Sequence, residues 1–115
     1  MSRHIDPQWE ISVRDVKSMI DRGDPVALID VRQPEEFDTA RIESAHLFPL
    51  PQLRESVGEI RKLAEGRVVV THCHHGHRSV QAAAFLREAG LGRVVSMAGG
   101  IHAWSIEIDP AVPQY

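Results

Sequence analysis

Short runs of β-branched residues alternate with helix-like patterns along the chain, and this alternation constrains the fold more than any other feature. Val26-Ala27-Leu28-Ile29-Asp30-Val31 reads as a strand buried on both faces, nearly apolar throughout. Arg67-Val68-Val69-Val70-Thr71-His72 reads as a second strand, and Val94-Val95-Ser96-Met97 as a third. Ala45-His46-Leu47-Phe48 and Trp9-Glu10-Ile11 are shorter candidates. Between them lie helices. Ser12 is placed to cap one with the stripe Val13, Val16 and Ile20, ending near Gly23. Pro34 suits the first position of a short helix through Phe37, and Pro51 opens another with the stripe Leu53, Val57, Ile60 and Ala64. An Ala-rich helix is expected from Ser79 to Ala89, and a last turn or helix from Gly99-Gly100 through Trp104. Strands that alternate with helices pair in parallel, with helices on both faces. The expected fold is a three-layer α/β/α sandwich with a mostly parallel sheet of about five strands.

At 115 residues the chain suits one domain, with a core over about residues 9–107 and a tail at residues 108–115. No repeat or low-complexity tract divides it. A net charge of −3 gives no global reason to bind nucleic acid or an anionic membrane, so anion binding must be local. Residues 1–12 lack a signal-peptide apolar run, and no stretch approaches the ~18 apolar residues of a membrane span. The single cysteine cannot form an internal disulfide, which suits a reducing cytosol in which the thiol stays free to react.

That cysteine follows directly after a strand, where parallel sheets place their ligands. In Cys73-His74-His75-Gly76-His77-Arg78-Ser79, four residues separate Cys73 from Arg78, and a strong helix follows. A strand, a tight loop and a helix N-terminus make an anion cradle of backbone N–H groups and helix dipole. Gly76 supplies a backbone conformation other residues resist, and Arg78 a permanent charge. The setting is expected to favour a Cys73 thiolate, a nucleophile toward a substrate with an anionic tail.

Here the sequence resembles the rhodanese family of sulfurtransferases, over nearly the whole chain. The family's loop is Cys, four residues, Arg, with Gly at the fourth position and Ser after the Arg; Cys73, Gly76, Arg78 and Ser79 match it. Asp30-Val31-Arg32 resembles its strand-end Asp-x-Arg, Glu36-Phe37 its Glu-Phe, and Gly99-Gly100 with Trp104 its Gly-Gly-x-x-x-Trp. The resemblance implies sulfur transfer without metal or organic cofactor. Cys73 attacks a small sulfur-containing anion such as thiosulfate and becomes a persulfide; cyanide or a thiol then takes the sulfur. Residues His74, His75, Gly76, His77, Arg78 and Ser79 would bind donor and persulfide, with Asp30 and Arg32 in support as an ion pair beside the loop. Ala40-Arg41-Ile42 departs from the family's Gly-His-Ile. The tail resembles the end of rhodanese domains fused to enzymes that activate sulfur-carrier proteins, which adds a sulfur-delivery protein to the expected partners.

Two rival readings remain: a non-catalytic module that uses the loop to bind an anion or partner, and a Cys-dependent phosphatase or arsenate reductase. Related phosphatases place five residues between Cys and Arg, a wider cradle than the four found here. His72, His74, His75 and His77 surround Cys73, and such a mixture can hold zinc or copper. Crowding on one tight loop argues against a metal. As titrating groups at the mouth, His74, His75 and His77 are expected to raise donor affinity as pH falls from about 8 toward 6.5. Trp104, Glu36 and Phe37 read as core, cap and packing residues.

Overall fold

The apolar runs pair as five parallel strands in the order β1-β5-β4-β2-β3. The computed structural model describes residues 5–115, so residues 1–4, on which part of the leader reading rests, lie outside the described residues. The strands are β1 (Glu10–Ile11), β2 (Val26–Asp30), β3 (His46–Leu47), β4 (Val68–His72) and β5 (Val94–Met97). The helices are α1 (Val13–Asp21), α2 (Pro34–Thr39), α3 (Leu53–Ala64), α4 (His77–Glu88) and α5 (Gly100–Glu107).

Strand alternation sends successive side chains to opposite faces of the sheet. Leu28, Val70, Val95 and Met97 pack with α1 and α5 through Val13, Val16, Ile101 and Trp104. Ile29, Val69 and Val94 pack on the other face against Leu53 and Ile60 of α3 and Ala82, Ala83 and Leu86 of α4. Each fully buried aliphatic side chain contributes roughly 1.5–3 kcal/mol. The two faces thus explain why residues 26–29, 68–70 and 94–95 of the middle strands are apolar without alternation.

Helix boundaries follow local chemistry. Ser12 Oγ accepts the Asp15 N–H at 3.0 Å, which starts α1 as its sequence suggests. Pro34 opens α2, and a reciprocal cap adds to it: Glu36 Oε1 accepts the Gln33 N–H at 3.0 Å. The helix expected from Pro51 is two pieces, a 3-10 turn at Leu50–Gln52 and then α3. The prolines at 49 and 51 lack the N–H groups a regular first turn would use. α4 begins at His77, two residues before the expected Ser79. Gly76, at φ 114°, turns the chain into the helix without intervening loop residues.

All three long strands end at the same edge of the sheet. β2 pairs with β4 so that Asp30 lies opposite His72, and β4 pairs with β5 through Thr71 and Ser96. The chain continues from those ends into Val31-Arg32, Cys73-His74 and Ala98-Gly99. Three loops therefore meet around one cysteine.

Candidate active site

Cys73 lies at the floor of its loop, 1% exposed. Its Sγ accepts the Gly76 N–H at 3.1 Å and lies 3.4 Å from Ser79 Oγ. That hydroxyl is 2.7 Å from Ser96 Oγ and donates to the Gly76 carbonyl at 3.2 Å. Thr71 Oγ1 donates to the Ser79 carbonyl at 2.7 Å, tying α4 to β4. The sulfur thus faces a backbone donor, a hydroxyl and the first turn of a 12-residue helix, a setting whose partial charges favour an anion.

The opposite side of the loop is held by α5. Ile101 N–H donates to the Cys73 carbonyl at 2.9 Å and His102 N–H to the His74 carbonyl at 3.1 Å. Gly100 permits this approach. A Cβ there would stand 2.4 Å from the Cys73 oxygen and 2.5 Å from the His74 oxygen, and its φ is +60°. Gly100 is thus a docking feature of the cysteine loop, while Gly99 caps the helix start.

A chain of charges joins the neighbouring strand end to the loop. Arg32 and Asp30 are fully buried and paired, with Nη2–Oδ2 at 2.7 Å and Nε–Oδ1 at 2.9 Å. The rest of the Arg32 fork donates to the Glu36 carbonyl (3.2 Å), the Ala40 carbonyl (2.6 Å) and the Tyr115 hydroxyl (2.8 Å). Its donors are matched, as a buried cation requires. Arg32 thereby fixes α2, and α2 presents Glu36. The Glu36 carboxylate takes Arg78 in a two-point pair, Nη1–Oε1 at 2.6 Å and Nη2–Oε2 at 2.9 Å. It also accepts the Tyr115 hydroxyl at 2.8 Å. Arg78 holds the Glu36 carboxyl well below the usual range, at about 2, and Glu36 raises Arg78 further. Burial, with Glu36 beside it, pushes the Tyr115 phenol up to about 12.

The histidines divide. His72 is fully buried; its Nε2 stands 3.6 Å from Asp30 Oδ2, beyond hydrogen-bond reach, and burial pushes the ring toward neutrality. His74 is half-buried and stacks on Tyr115, centroids 3.9 Å apart and planes 6° from parallel. Its Nε2 is buried without a partner. Burial, and then the neighbouring His75, lower its pKa below the ordinary 6.5. His74 is therefore less readily charged as pH falls from 8 toward 6.5 than its place in the sequence suggests. Desolvation overrides its position at the loop mouth. His75 is exposed and packs against His74 at 4.0 Å and His102 at 4.9 Å. His77 is exposed at the start of α4. Among the described residues, no three His, Cys, Asp or Glu side chains are gathered to hold a metal ion.

Cys73, His74, Gly76, Arg78 and Ser79 are brought together with Asp30 and Arg32, as described. Ala40, where a Gly resembling the family's was absent, has extended backbone (φ −158°, ψ 138°) that any residue adopts. Arg41 beside it lies over the Phe37 ring at 4.9 Å. Trp104 is buried in the core. A groove of about 540 Å³ between α1, residues 37–44 and the tail contains none of the cysteine-loop residues. Sequence reasoning missed four contributors: Glu36 as partner of Arg78, Tyr115, Ser96 and His102. Glu36 and Arg78 are 42 residues apart, a pairing no local pattern reveals. The tail did carry a signal in its resemblance, but nothing pointed to its tyrosine.

A family model described as Rhodanese-like domain matches residues 12–107. The chain belongs to the rhodanese-like domain family. It is 35% identical over 96 residues to a protein of Allochromatium vinosum named Sulfurtransferase, covering 84% of this chain and 87% of that one. It is 36% identical over 105 residues to the probable adenylyltransferase/sulfurtransferase MoeZ of Mycobacterium tuberculosis, covering 91% of this chain and 26% of that protein. The chain thus spans about a quarter of the length of such larger relatives, as also for a maize protein named adenylyltransferase and sulfurtransferase MOCS3-2 (23%). Among solved structures, a rhodanese-related protein from Thermoplasma volcanium aligns with a TM-score of 0.75 at 30% identity, covering 93% of this chain and 99% of that one. The human single-domain sulfurtransferase TSTD1 aligns at 0.73 with 23% identity, covering 85% and 96%, and shares the fold.

Proposed function

We propose that this chain moves sulfane sulfur through a persulfide on Cys73, from a small sulfur-containing anion such as thiosulfate to cyanide or a thiol. The observation that carries the reading is the Gly76 N–H aimed at Sγ from 3.1 Å, where the loop enters α4. In the first half-reaction the Cys73 thiolate attacks the outer sulfur of thiosulfate. The Cys–S bond forms, the S–S bond of the donor breaks, and sulfite leaves with its electron pair. In the second, cyanide or a thiolate attacks the outer persulfide sulfur and Cys73 leaves as thiolate. Both steps place negative charge on sulfur at the loop, where amides and the helix start stabilise it without rearrangement. Residues His74, His75, Gly76, His77, Arg78 and Ser79 line the donor and persulfide site, with the Arg78 guanidinium paired to Glu36, while Asp30 and Arg32 support it by positioning α2. No cofactor takes part.

Sulfurtransferase relatives support the activity, and those joined to adenylyltransferases support a sulfur-carrier or sulfur-delivery protein as a partner. A reducing cytosol suits a thiol that must return to its free state after each turnover. Among the described residues, no helix is long and apolar enough to cross a membrane.

Intact mass after thiosulfate treatment and desalting tests the reading. A gain of one sulfur atom, removed by cyanide and absent in Cys73→Ser, is expected. No adduct with thiosulfate or with any persulfide donor would refute transfer and favour an anion- or partner-binding module.

A further inference from the structure

We infer that Glu36 is a specificity-determining residue: by holding Arg78 in a two-point pair it withholds the loop's arginine from small anionic donors. The site is thereby tilted away from dianions such as thiosulfate and toward donors with less charge behind the outer sulfur, such as a persulfide. The inference rests on the transfer reading for its consequence, but on the ion pair for its cause.

Arg78 is the only arginine in residues 73–79. Both tips of its fork point at Glu36, Nη1 at 2.6 Å and Nη2 at 2.9 Å. A two-point arginine pair of this kind is the geometry an oxyanion donor would itself seek. Glu36 is not free to swing aside. Its Oε1 also accepts the Gln33 N–H at 3.0 Å and its Oε2 the Tyr115 hydroxyl at 2.8 Å. Tyr115 is in turn anchored by Arg32 Nη1 at 2.8 Å and by its stack on His74. Four donors from three other residues thus hold one carboxylate beside the cysteine loop.

A donor dianion therefore meets two costs. It must displace a preformed pair to use Arg78, and it must approach the fixed negative charge of Glu36. The other nearby guanidinium offers no relief, since Arg32 is fully buried and committed to Asp30, two carbonyls and Tyr115. Protonation offers none near neutral pH either, because Arg78 keeps the Glu36 carboxyl ionised. A persulfide donor expels a thiolate rather than sulfite, so it brings less charge to the same place.

Glu36→Gln isolates the charge, since an amide oxygen can still accept the Gln33 N–H and preserve the cap. The first readout is the ratio of Cys73 alkylation rates by iodoacetate and iodoacetamide, reagents that differ by one charge. The second is thiosulfate KM against kcat with cyanide as acceptor. Glu36→Gln is expected to raise the ratio roughly five- to tenfold and lower KM by a similar factor, with kcat changing less. Adding Arg78→Met should erase the gain. Tyr115→Phe should move both readouts in the same direction by a smaller factor, and it serves if Glu36→Gln does not fold. An unchanged or lowered ratio overturns the inference. So does a raised ratio without a fall in KM, which would leave a charge effect and no specificity. If no donor loads Cys73, the transfer reading fails alone, and the alkylation ratio still decides whether Glu36 screens the thiol from anions.

Discussion

Replacing Gly100 with Ala tests how the cysteine loop is held against α5. The added Cβ would stand 2.4 Å from the Cys73 oxygen, 2.5 Å from the His74 oxygen and 2.7 Å from the His74 carbonyl carbon. None of these is the end of a flexible side chain, so α5 and the loop must separate by about 1 Å to reach ordinary contact. The two hydrogen bonds that join them, at 2.9 and 3.1 Å, would then stretch beyond useful length. Each contributes about 1 kcal/mol. Holding a non-glycine residue at φ +60° adds about 1–2 kcal/mol. The expected loss is roughly 3–4 kcal/mol, a drop in Tm of roughly 10–20 °C for a chain of this size.

Gly23 supplies the control. Its φ is +76°, yet nothing lies within 4 Å of the position a Cβ would take. Gly23→Ala should therefore cost only the backbone part, about 1–2 kcal/mol. Urea unfolding followed by circular dichroism gives both values, and their difference isolates the clash. Equal losses within about 0.5 kcal/mol would refute the argument that α5 is docked on the loop through Gly100.

Three further predictions follow from the charged chain. Arg32→Met leaves Asp30 buried and unpaired and should cost about 3–5 kcal/mol in urea unfolding, with Asp30→Asn/Arg32→Met less damaging than Arg32→Met alone. Glu36 titrates at about 2 in the fold instead of its ordinary 4.5, so its contribution is full above pH 4.5 and lost as pH falls toward 2. After screening of this partly exposed pair, it is worth about 1 kcal/mol, and Glu36→Gln should flatten that part of the acid unfolding profile. Tyr115 is the only tyrosine in the chain, so phenolate absorbance reports on it alone. Its midpoint should lie near 12 rather than 10, and stability from its raised pKa should disappear between those values as pH rises. A midpoint near 10 would mean that the ring is not packed at the loop.

Much of this was legible because the signals were local. The apolar runs at 26–31, 67–72 and 94–97 became β2, β4 and β5 with shifts of at most one residue at either end. Ser12 and Pro34 marked helix starts through bonds made within a turn of the chain. Cys73 could be placed because a strand before it and a helix after it are both short-range readings. α4 starts two residues before the Ser79 that the sequence suggests, because a left-handed Gly76 turns the chain sooner than a loop of ordinary residues could. The electrostatics of the mouth were not legible. The position of His74 suggests a titrating cation or donor, whereas burial, with the ring of Tyr115 stacked on it from 41 positions away, lowers its pKa. Glu36 reads as a cap and is one, and nothing in its neighbours shows its second partner, Arg78.

The two sides of the loop have different tasks, and peptide geometry explains why. In a trans peptide unit the C=O and N–H point in opposite directions. The carbonyls of Cys73 and His74 are turned toward α5 by Ile101 and His102, so the N–H groups of His74 and His75 point away from α5. Docking at Gly100 therefore aims loop amides as well as anchoring the loop, and an anion seated there would meet donors already oriented. Charge is set from the other side, where Asp30 fixes Arg32, Arg32 fixes α2, and α2 delivers Glu36 to Arg78. Shape and charge can then be separated by experiment. On the proposed transfer, Gly100→Ala should slow sulfur loading from every donor, because it misdirects the amides that would hold a persulfide. Glu36→Gln should instead change the ranking of donors, because it alters only the field they enter.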